Sequence, residues 1–358
     1  MANIERITIR RFELPLQTPY KLAFGLVKHF DTLIVEVNDS DGGYGLGEAT
    51  ILNGYTDETV EGSWSKFESL AEILLGQSLS DASRLLSSFW AEHPFTVTAF
   101  TTAIEMAVSK EPFFKLSQNV SVPILGVLNA RDEAGIAMEL DKLLAQGFNT
   151  IKVKVGFDPQ SDLLQVRRVQ KHLQNRGAIR IDGNQGFSRE QALEFVGGLN
   201  PASIELFEQP CHADDWESAV VVGRASTVPM MLDESIYGEE DIYKAAKLGC
   251  ATYIKLKLMK LGSLDRLRKG LALIKELGMK PVLGNGVASD ISCWMESLVA
   301  RLEIENAGEM NGFLKPTHSI LDSPLNFANG CVELERNFNP RLSSAAIQAF
   351  QVSTKHYP

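Results

Sequence analysis

The sequence predicts an α/β protein, a barrel of parallel strands preceded by a smaller α+β module, and three observations carry that prediction. From Val122 onward, short β-branched runs alternate with helical stretches seven or eight times, with short loops between them. This is the pattern of a closed parallel barrel more than of an open sheet. Before Val122 the chain opens with three strand-like runs and then three helical ones, without a βαβ unit. Finally, carboxylates recur where strands end, at intervals of about one βα unit: 26 residues separate Asp182 from Glu208, and 25 separate Glu208 from Asp233. A doubly wound sheet is the alternative for the same alternation.

Taken in order, residues 3–15 and 31–38 read as strands, and Asp39-Ser40-Asp41-Gly42-Gly43 as the turn into a third over 44–48. No helix follows that glycine cluster within a βαβ unit, so it does not support a dinucleotide site. The stretch 16–30 is longer than a connection requires, and such loops are usually lids or binding loops. Phe24-Gly25 sets an aromatic beside a permissive hinge, and Lys28 and His29 add positive charge, so a mobile lid is expected there. Trp64, Phe67, Leu70, Ala71, Leu74 and Leu75 fall on one helical stripe, and Leu85, Leu86, Phe89 and Trp90 on a second. A third helix is expected over 99–110. Strands are then expected over 123–128, 150–155, 179–181, 204–207, 230–232, 253–257 and 281–283, with a weaker one near 309–313. The helices between them are expected over 133–146, 159–176, 188–197, 214–224, 239–248, 263–277 and 291–301. The expected division is a first module over 1–120, a barrel over 121–325, and a tail over 326–358 that returns to the first module.

Composition narrows the function classes. A hydrophobic content of 44% with 22% charged residues is that of a globular chain and argues against disorder. The net charge of −10, without a basic tract, removes electrostatic support for nucleic-acid binding. Cys211, Cys250, Cys293 and Cys331 are scattered without metal-binding spacing, so free thiols are expected. Residues 1–20 lack an apolar core of signal-peptide length, and no run reaches the roughly 18 apolar residues of a membrane span. A cytoplasmic protein acting on small molecules, with no membrane partner, is the expectation.

Thr150-Ile151-Lys152-Val153-Lys154-Val155-Gly156 holds two lysines in a β-branched run. Residues two apart share a strand face, so both ammonium groups enter one environment, each lowering the other's pKa. A lysine brought toward neutrality can serve as a base; the plainer reading is an edge strand carrying charge against aggregation. At later strand ends stand Asp182-Gly183-Asn184, Glu208-Gln209-Pro210, Asp233-Glu234-Ser235 and Lys257-Leu258-Met259-Lys260. Three acids meeting at a barrel mouth repel one another unless a cation lies between them, and an all-oxygen set suits Mg²⁺. Each acid taken alone also reads as a helix N-cap or rim residue. Lys154 on the second strand and Lys257 on the sixth would face each other across the barrel, which suits removal of a proton α to a carboxylate on one face and its return on the other. A divalent ion would stabilise the enediolate formed between those steps. Lys255 and Lys257 share a face by spacing, which leaves open which one reaches the centre; the Lys-Leu-Met-Lys pattern favours Lys257. His212 reads as a surface loop residue, and Met259 and Trp294 as packing.

Lys152-Val153-Lys154, Asp182-Gly183-Asn184, Glu208-Gln209-Pro210, Asp233-Glu234-Ser235 and Lys257-Leu258-Met259-Lys260 together resemble the enolase superfamily, specifically its muconate lactonizing enzyme subgroup. A lysine base working with Mg²⁺ in that superfamily is an established pattern. The resemblance implies a modified TIM barrel, (β/α)7β, with an α+β capping domain. It implies one Mg²⁺ per subunit, with Asp182, Glu208 and Asp233 as ligands and Asn184 and Glu234 beside them. It implies Lys154 and Lys257 as the acid/base pair, assisted by Lys152. It also implies a specificity lid over 18–30, including Phe24 and Gly25, with Tyr55 on a second loop. By the same analogy the protein forms a homo-oligomer. Ala23-Phe24-Gly25 looks like the o-succinylbenzoate synthase and N-succinylamino acid racemase branch. At the seventh strand Asn285 lines the mouth, and Ala288 stands where many relatives have glutamate. At the eighth, Glu309-Met310-Asn311 stands where dipeptide epimerases show Asp-x-Asp for a substrate ammonium, and so keeps one negative charge instead of two.

Racemisation or epimerisation of a small carboxylate, such as an N-modified amino acid, is therefore the expected activity. Cycloisomerisation or syn β-elimination, in which one lysine acts and the other stabilises charge, is the alternative. Schiff-base chemistry on Lys154 or Lys257 leaves the three acids unexplained, and a binding protein without turnover leaves the five competent positions unexplained.

Overall fold

Alternating buried side chains on three antiparallel strands build the first layer. The computed structural model describes residues 2–22, 25–52, 57–108 and 113–358. Ile4–Leu22, Gly25–Asp39 and Tyr44–Ile51 pair in sequence, and the last strand, Gln351–Tyr357, pairs with the outer side of the first. Both faces of this sheet carry apolar side chains. Ile7, Ile9, Leu33, Val35 and Val37 pack with Phe67, Leu70 and Phe100 from the helices Val60–Leu74 and Pro94–Val108. Phe12, Leu14, Phe30, Ile34 and Leu46 belong to the core of the barrel. Gly47 lets the third strand lie directly on the helix Pro94–Val108, because a Cβ there would fall 1.7 Å from the Ala99 carbonyl oxygen.

The barrel follows the expected alternation. Gly126–Leu128, Thr150–Lys154, Ala178–Asp182, Ile204–Glu208, Met230–Leu232, Tyr253–Leu256 and Lys280–Leu283 form a parallel sheet in sequence order. Closure falls to residues 308–309: Glu309 N donates to the Leu283 carbonyl (2.9 Å), Gly308 N to Pro123 (2.9 Å), and Leu125 N to Gly308 (2.9 Å). The last strand's neighbours are thus the seventh and the first. Between strands, helices start where the side chains of Asp132, Asp158, Ser188, Asp215 and Ser263 accept a backbone N–H of the first turn.

Three expectations need correction. The stretch 16–30 is a β-ribbon over its described residues, with Tyr20 opposite Val27 and Leu22 opposite Gly25 after a register shift. It is docked through Gln17 N to the Lys315 carbonyl (2.9 Å) and Thr317 N to Pro15 (2.8 Å). Backbone pairing between its two halves is the reason it is not a loop. The strand expected over 123–128 divides: Val120–Pro123 pairs antiparallel with Cys331–Leu334, and only Gly126–Leu128 enters the barrel. The strand expected near 309–313 shortens to the closing bridge, then turns into a 3₁₀ helix over Gly312–Leu314. Among the described residues no helix is long and apolar enough to cross a membrane.

Two glutamates of the capping domain, Glu48 buried and Glu105 partly buried, tie it to the barrel by capping barrel helices in trans. Glu48 accepts Ser289 N (2.5 Å), Ser289 Oγ (2.8 Å) and Ser292 N (2.9 Å) at the start of the helix Asp290–Glu303. Glu105 accepts Leu264 N (2.9 Å) and Asp265 N (3.2 Å) at the start of Leu264–Glu276. A carboxylate at a helix N-terminus satisfies orphan N–H groups and meets the positive end of the helix dipole. Glu48→Ala is expected to destabilise the protein by about 2–4 kcal/mol, since it strands several buried donors at once. Urea unfolding followed by circular dichroism measures this; a loss below about 0.5 kcal/mol would count against the contact as a stabilising one.

Candidate active site

Strand register assembles the site. Lys154 of the second barrel strand lies opposite Asp182 of the third, which lies opposite Glu208 of the fourth, so one rung carries a lysine and two acids. Asp233 follows the fifth strand, and Lys257 follows the sixth. The acids therefore sit in a row over strands three to five, and a lysine flanks the row at either end.

The side chains meet as a dense ion cluster. Lys154 Nζ bonds Asp182 Oδ2 (2.5 Å) and Asn184 Oδ1. Lys257 Nζ lies 2.7 Å from Asp233 Oδ2. Lys152 reaches Asp182 (2.8 Å), Glu208 (3.0 Å) and Glu309 (3.0 Å). Lys255 reaches Glu208 (3.1 Å), Asp233 (3.4 Å) and Glu309. Lys152, Lys255 and Lys257 are each 2% exposed, whereas the Lys154 side chain is 34% exposed. Asn184 Nδ2 donates to Glu234 Oε1 (2.9 Å), linking the third strand end to the fifth.

The electrostatics follow from burial and partners. Burial alone would lower the pKa of Lys152, but Asp182, Glu208 and Glu309 outweigh it and hold the pKa above the ordinary value. For Lys152 this corrects the expectation of a lowered pKa: the carboxylates decide the sign. Asp182 is buried, yet Lys152, Lys154 and Lys255 bring it down to about 2. Glu208 goes the other way, to about 7, because burial and Asp182 oppose its charge more than its two lysines favour it. Lys260, buried and bonded to the carbonyls of Asp233 (3.0 Å) and Ile236 (3.2 Å), is lowered to about 8, mainly by desolvation.

The three acids are oxygen donors of the kind Mg²⁺ takes. Oxygens from all three do not gather within 4.8 Å of one another; among the described residues the donor group that does is Glu13, His29 and Asp31 on the ribbon. Asp31 there already holds Arg11 (2.8 Å), and two of the three residues are exposed. At the barrel mouth, by contrast, ammonium groups bridge the acids, and among the described residues Asp233 Oδ1 is buried without a hydrogen bond, with Lys260 Nζ 3.6 Å away. Positive charge is thus already required between these carboxylates, and the donor set fits a divalent ion.

Of the other expected residues, Glu309 enters the cluster and is bonded to Lys152 and Lys255. Asn311 lies beside it, its Nδ2 on the Leu125 carbonyl (3.0 Å). Asn285 reaches the same mouth, but its amide is engaged by Val287 and by Met259 Sδ. Phe24 and Tyr55 lie outside the described residues, and Gly25 is described only through its backbone pairing with Leu22. Sequence reasoning missed Lys315, for which no local signal exists, and Glu296, for which one does: a lone acid in the apolar run Trp294-Met295-Glu296-Ser297-Leu298. Glu296 Oε1 accepts Leu258 N (3.0 Å), fixing the turn that follows Lys257.

Burial raises the pKa of Glu296 to about 8. Between the ordinary carboxylate range and pH 8 the folded state keeps a proton that the unfolded state has released, so stability falls as pH rises through that window. Glu296→Gln is expected to flatten the fall in melting temperature between pH 5 and 8. Equal slopes for the variant and the parent would refute the assignment.

Residues 135–338 match the family described as Enolase C-terminal domain-like, and residues 5–109 match the Mandelate racemase / muconate lactonizing enzyme, N-terminal domain. The chain is 30% identical over 320 residues to an aromatic dipeptide epimerase of Herpetosiphon aurantiacus, covering 86% of this chain and 88% of that one. It is 26% identical over 334 residues to an N-succinyl-L-Arg/Lys racemase of Bacillus cereus, covering 89% of each. Its fold is shared with the crystal structure of a dipeptide epimerase from Cytophaga hutchinsonii complexed with Mg and the dipeptide D-Ala-L-Val. That comparison has a TM-score of 0.87 at 18% identity and covers 99% of both chains.

Proposed function

The chain belongs to the mandelate racemase / muconate lactonizing enzyme family and is an isomerase of the enolase superfamily, and from that premise we propose a Mg²⁺-dependent racemase or epimerase. It acts at the carbon α to the carboxylate of an N-modified amino acid or a similar small carboxylate. The observation that carries this reading is the placement of Lys154 and Lys257 at opposite ends of one row of acids. Two bases on opposite sides of one carbon are what inversion requires, because the proton must leave one face and return on the other.

Asp182, Glu208 and Asp233 would hold Mg²⁺, which when bound supplies positive charge to the substrate carboxylate and to its enediolate form. Lys154 Nζ takes the α-proton of one enantiomer while Lys257 Nζ delivers a proton to the opposite face, and for the other enantiomer the two roles are exchanged. Lys152 and Lys255, anchored on Glu309, keep two further positive charges beside the carboxylate end of the substrate. Asn184 orients Lys154 through its Oδ1 and is itself held by Glu234. The relatives named as an aromatic dipeptide epimerase and an N-succinyl-L-Arg/Lys racemase both invert an amino-acid centre, which supports the same reaction class here.

The test is a proton-exchange screen in D₂O with Mg²⁺, offering N-acyl and N-succinyl amino acids, dipeptides and unsaturated diacids. Deuterium at an α-carbon with inverted configuration is the expected result. A product that has lost water, or closed a ring, without inversion would replace this reading with elimination or cycloisomerisation.

A further inference from the structure

The barrel covers only part of one face of the capping sheet. Pleating puts Arg6, Thr8 and Arg10 of its first strand on the face that carries Ile34 of the second and Leu46 of the third. Ile34 and Leu46 lie in the barrel core, but further along the strands the same face turns polar. There Glu36 and His356 lie opposite Thr8 on either side, and Asn38 lies beside Arg6 and Tyr44. Arg341, from the segment after the barrel, borders the same area. Its guanidinium carbon lies 3.6 Å from the centre of the Tyr44 ring, and its carbonyl accepts Asp322 N (2.9 Å). These groups line a pocket of about 370 Å³, the size of a small-molecule site. No residue of the ion cluster at the barrel mouth lines it.

Charge decides what fits. Glu36, the carboxylate among the lining residues, is already engaged: Oε1 accepts Arg10 Nε (2.7 Å) and Oε2 accepts the Tyr44 hydroxyl (3.1 Å). Arg10 is held further by Gln351 Oε1 (2.7 Å). Arg6 and Arg341 have no such compensation. Arg6 donates to the neutral Asn38 Oδ1 (3.3 and 3.2 Å) and Arg341 stacks on Tyr44, and among the described residues neither forms an ion pair with a carboxylate. Two guanidinium groups are thus left unmatched beside one pocket of a chain whose net charge is −10. Their planar forks suit the oxygens of a phosphate, two at a time. We propose that this pocket binds a phosphoryl group, as free phosphate or as the monoester of a small molecule. Arg6 and Arg341 match the two charges of the dianion, whereas a single carboxylate would leave one of them unmatched. The Thr8 hydroxyl and the His356 imidazole, 3.1 Å apart, supply further polar contacts at the edge.

Calorimetric titration of the Mg²⁺-loaded protein with inorganic phosphate, ribose 5-phosphate and succinate tests the site at low salt. Both phosphates are expected to bind, and succinate, whose two charges sit on separate carboxylates, to bind more weakly. Arg6→Gln and Arg341→Gln should each weaken phosphate binding by about tenfold to a hundredfold, the range of one charge-assisted hydrogen bond. Arg341→Lys, which keeps the charge and loses the fork, should fall between Arg341→Gln and the parent. Arg6 and Arg341 are both exposed, so these variants are expected to fold, and an unchanged melting temperature would mark the loss as local. Tighter binding of ribose 5-phosphate than of free phosphate assigns the pocket to an organic phosphate, and equal affinity assigns it to the free ion; either supports the site. No binding of either phosphate, or binding of succinate as tight as theirs, would overturn it. So would a phosphate affinity unchanged in either Gln variant, because the anion would then sit elsewhere, such as on the lysines of the barrel mouth.

Discussion

Lys257→Ala is expected to stop racemisation while still washing deuterium into the α-position of one enantiomer of the substrate, and Lys154→Ala is expected to do the same for the opposite enantiomer. The two lysines stand at either end of the acid row, one on Asp182 and one on Asp233, so in the proposed reaction each serves one side of the substrate's α-carbon. Removing one base leaves the other able to take and return a proton on its own face. Inversion needs both and should fall by about 10²–10⁴-fold in either variant, the usual contribution of a positioned acid/base group. Exchange followed by NMR from each pure enantiomer separates the cases. If both variants lose exchange of both enantiomers alike, or if neither loses inversion, the two-base assignment is wrong.

Removal of metal is the second large effect. EDTA is expected to abolish α-proton exchange and added Mg²⁺ to restore it. Asp233→Asn and Glu208→Gln are expected to remain inactive at any Mg²⁺ concentration. A readout independent of turnover comes from linkage. Ligand at a hundred times its dissociation constant stabilises a protein by about 2.7 kcal/mol, so Mg²⁺ should raise the melting temperature of the parent and leave that of Asp233→Asn unmoved. That variant should also be less stable without metal, because Lys255, Lys257 and Lys260 all lie within 4.0 Å of Asp233 oxygens, and breaking a buried ion pair typically costs about 3–5 kcal/mol. A melting temperature indifferent to Mg²⁺ in the parent would remove the metal from the proposal.

The acid row was legible because its cause is local. Each acid ends a strand, and each βα unit is about the same length, so Asp182, Glu208 and Asp233 repeat with the fold. The same-face argument for Lys152 and Lys154, and for Lys255 and Lys257, rests on the two-residue period of a strand, and all four side chains do enter the ion cluster. The stretch 16–30 reads as a loop in the sequence because strand pairing is made by partners across the hairpin, and a stretch that follows Pro15 and contains Pro19 and Gly25 has little strand signal of its own.

By itself, then, the sequence determined the alternation of strands and helices, the strand ends on which charged residues stand, and the family those residues resemble. These depend on periodicities that run a few residues at a time. Only the tertiary structure decided which charges meet. Lys152 bonds Glu309 because residues 308–309 close the barrel against its first strand. Glu48 caps the helix Asp290–Glu303 because the capping sheet lies on the barrel. Lys315 reaches Gly286 because the ribbon and the chain after the eighth strand are bonded together. Contacts between such distant residues arise from closure and packing of whole elements, and no pattern within either segment encodes its partner.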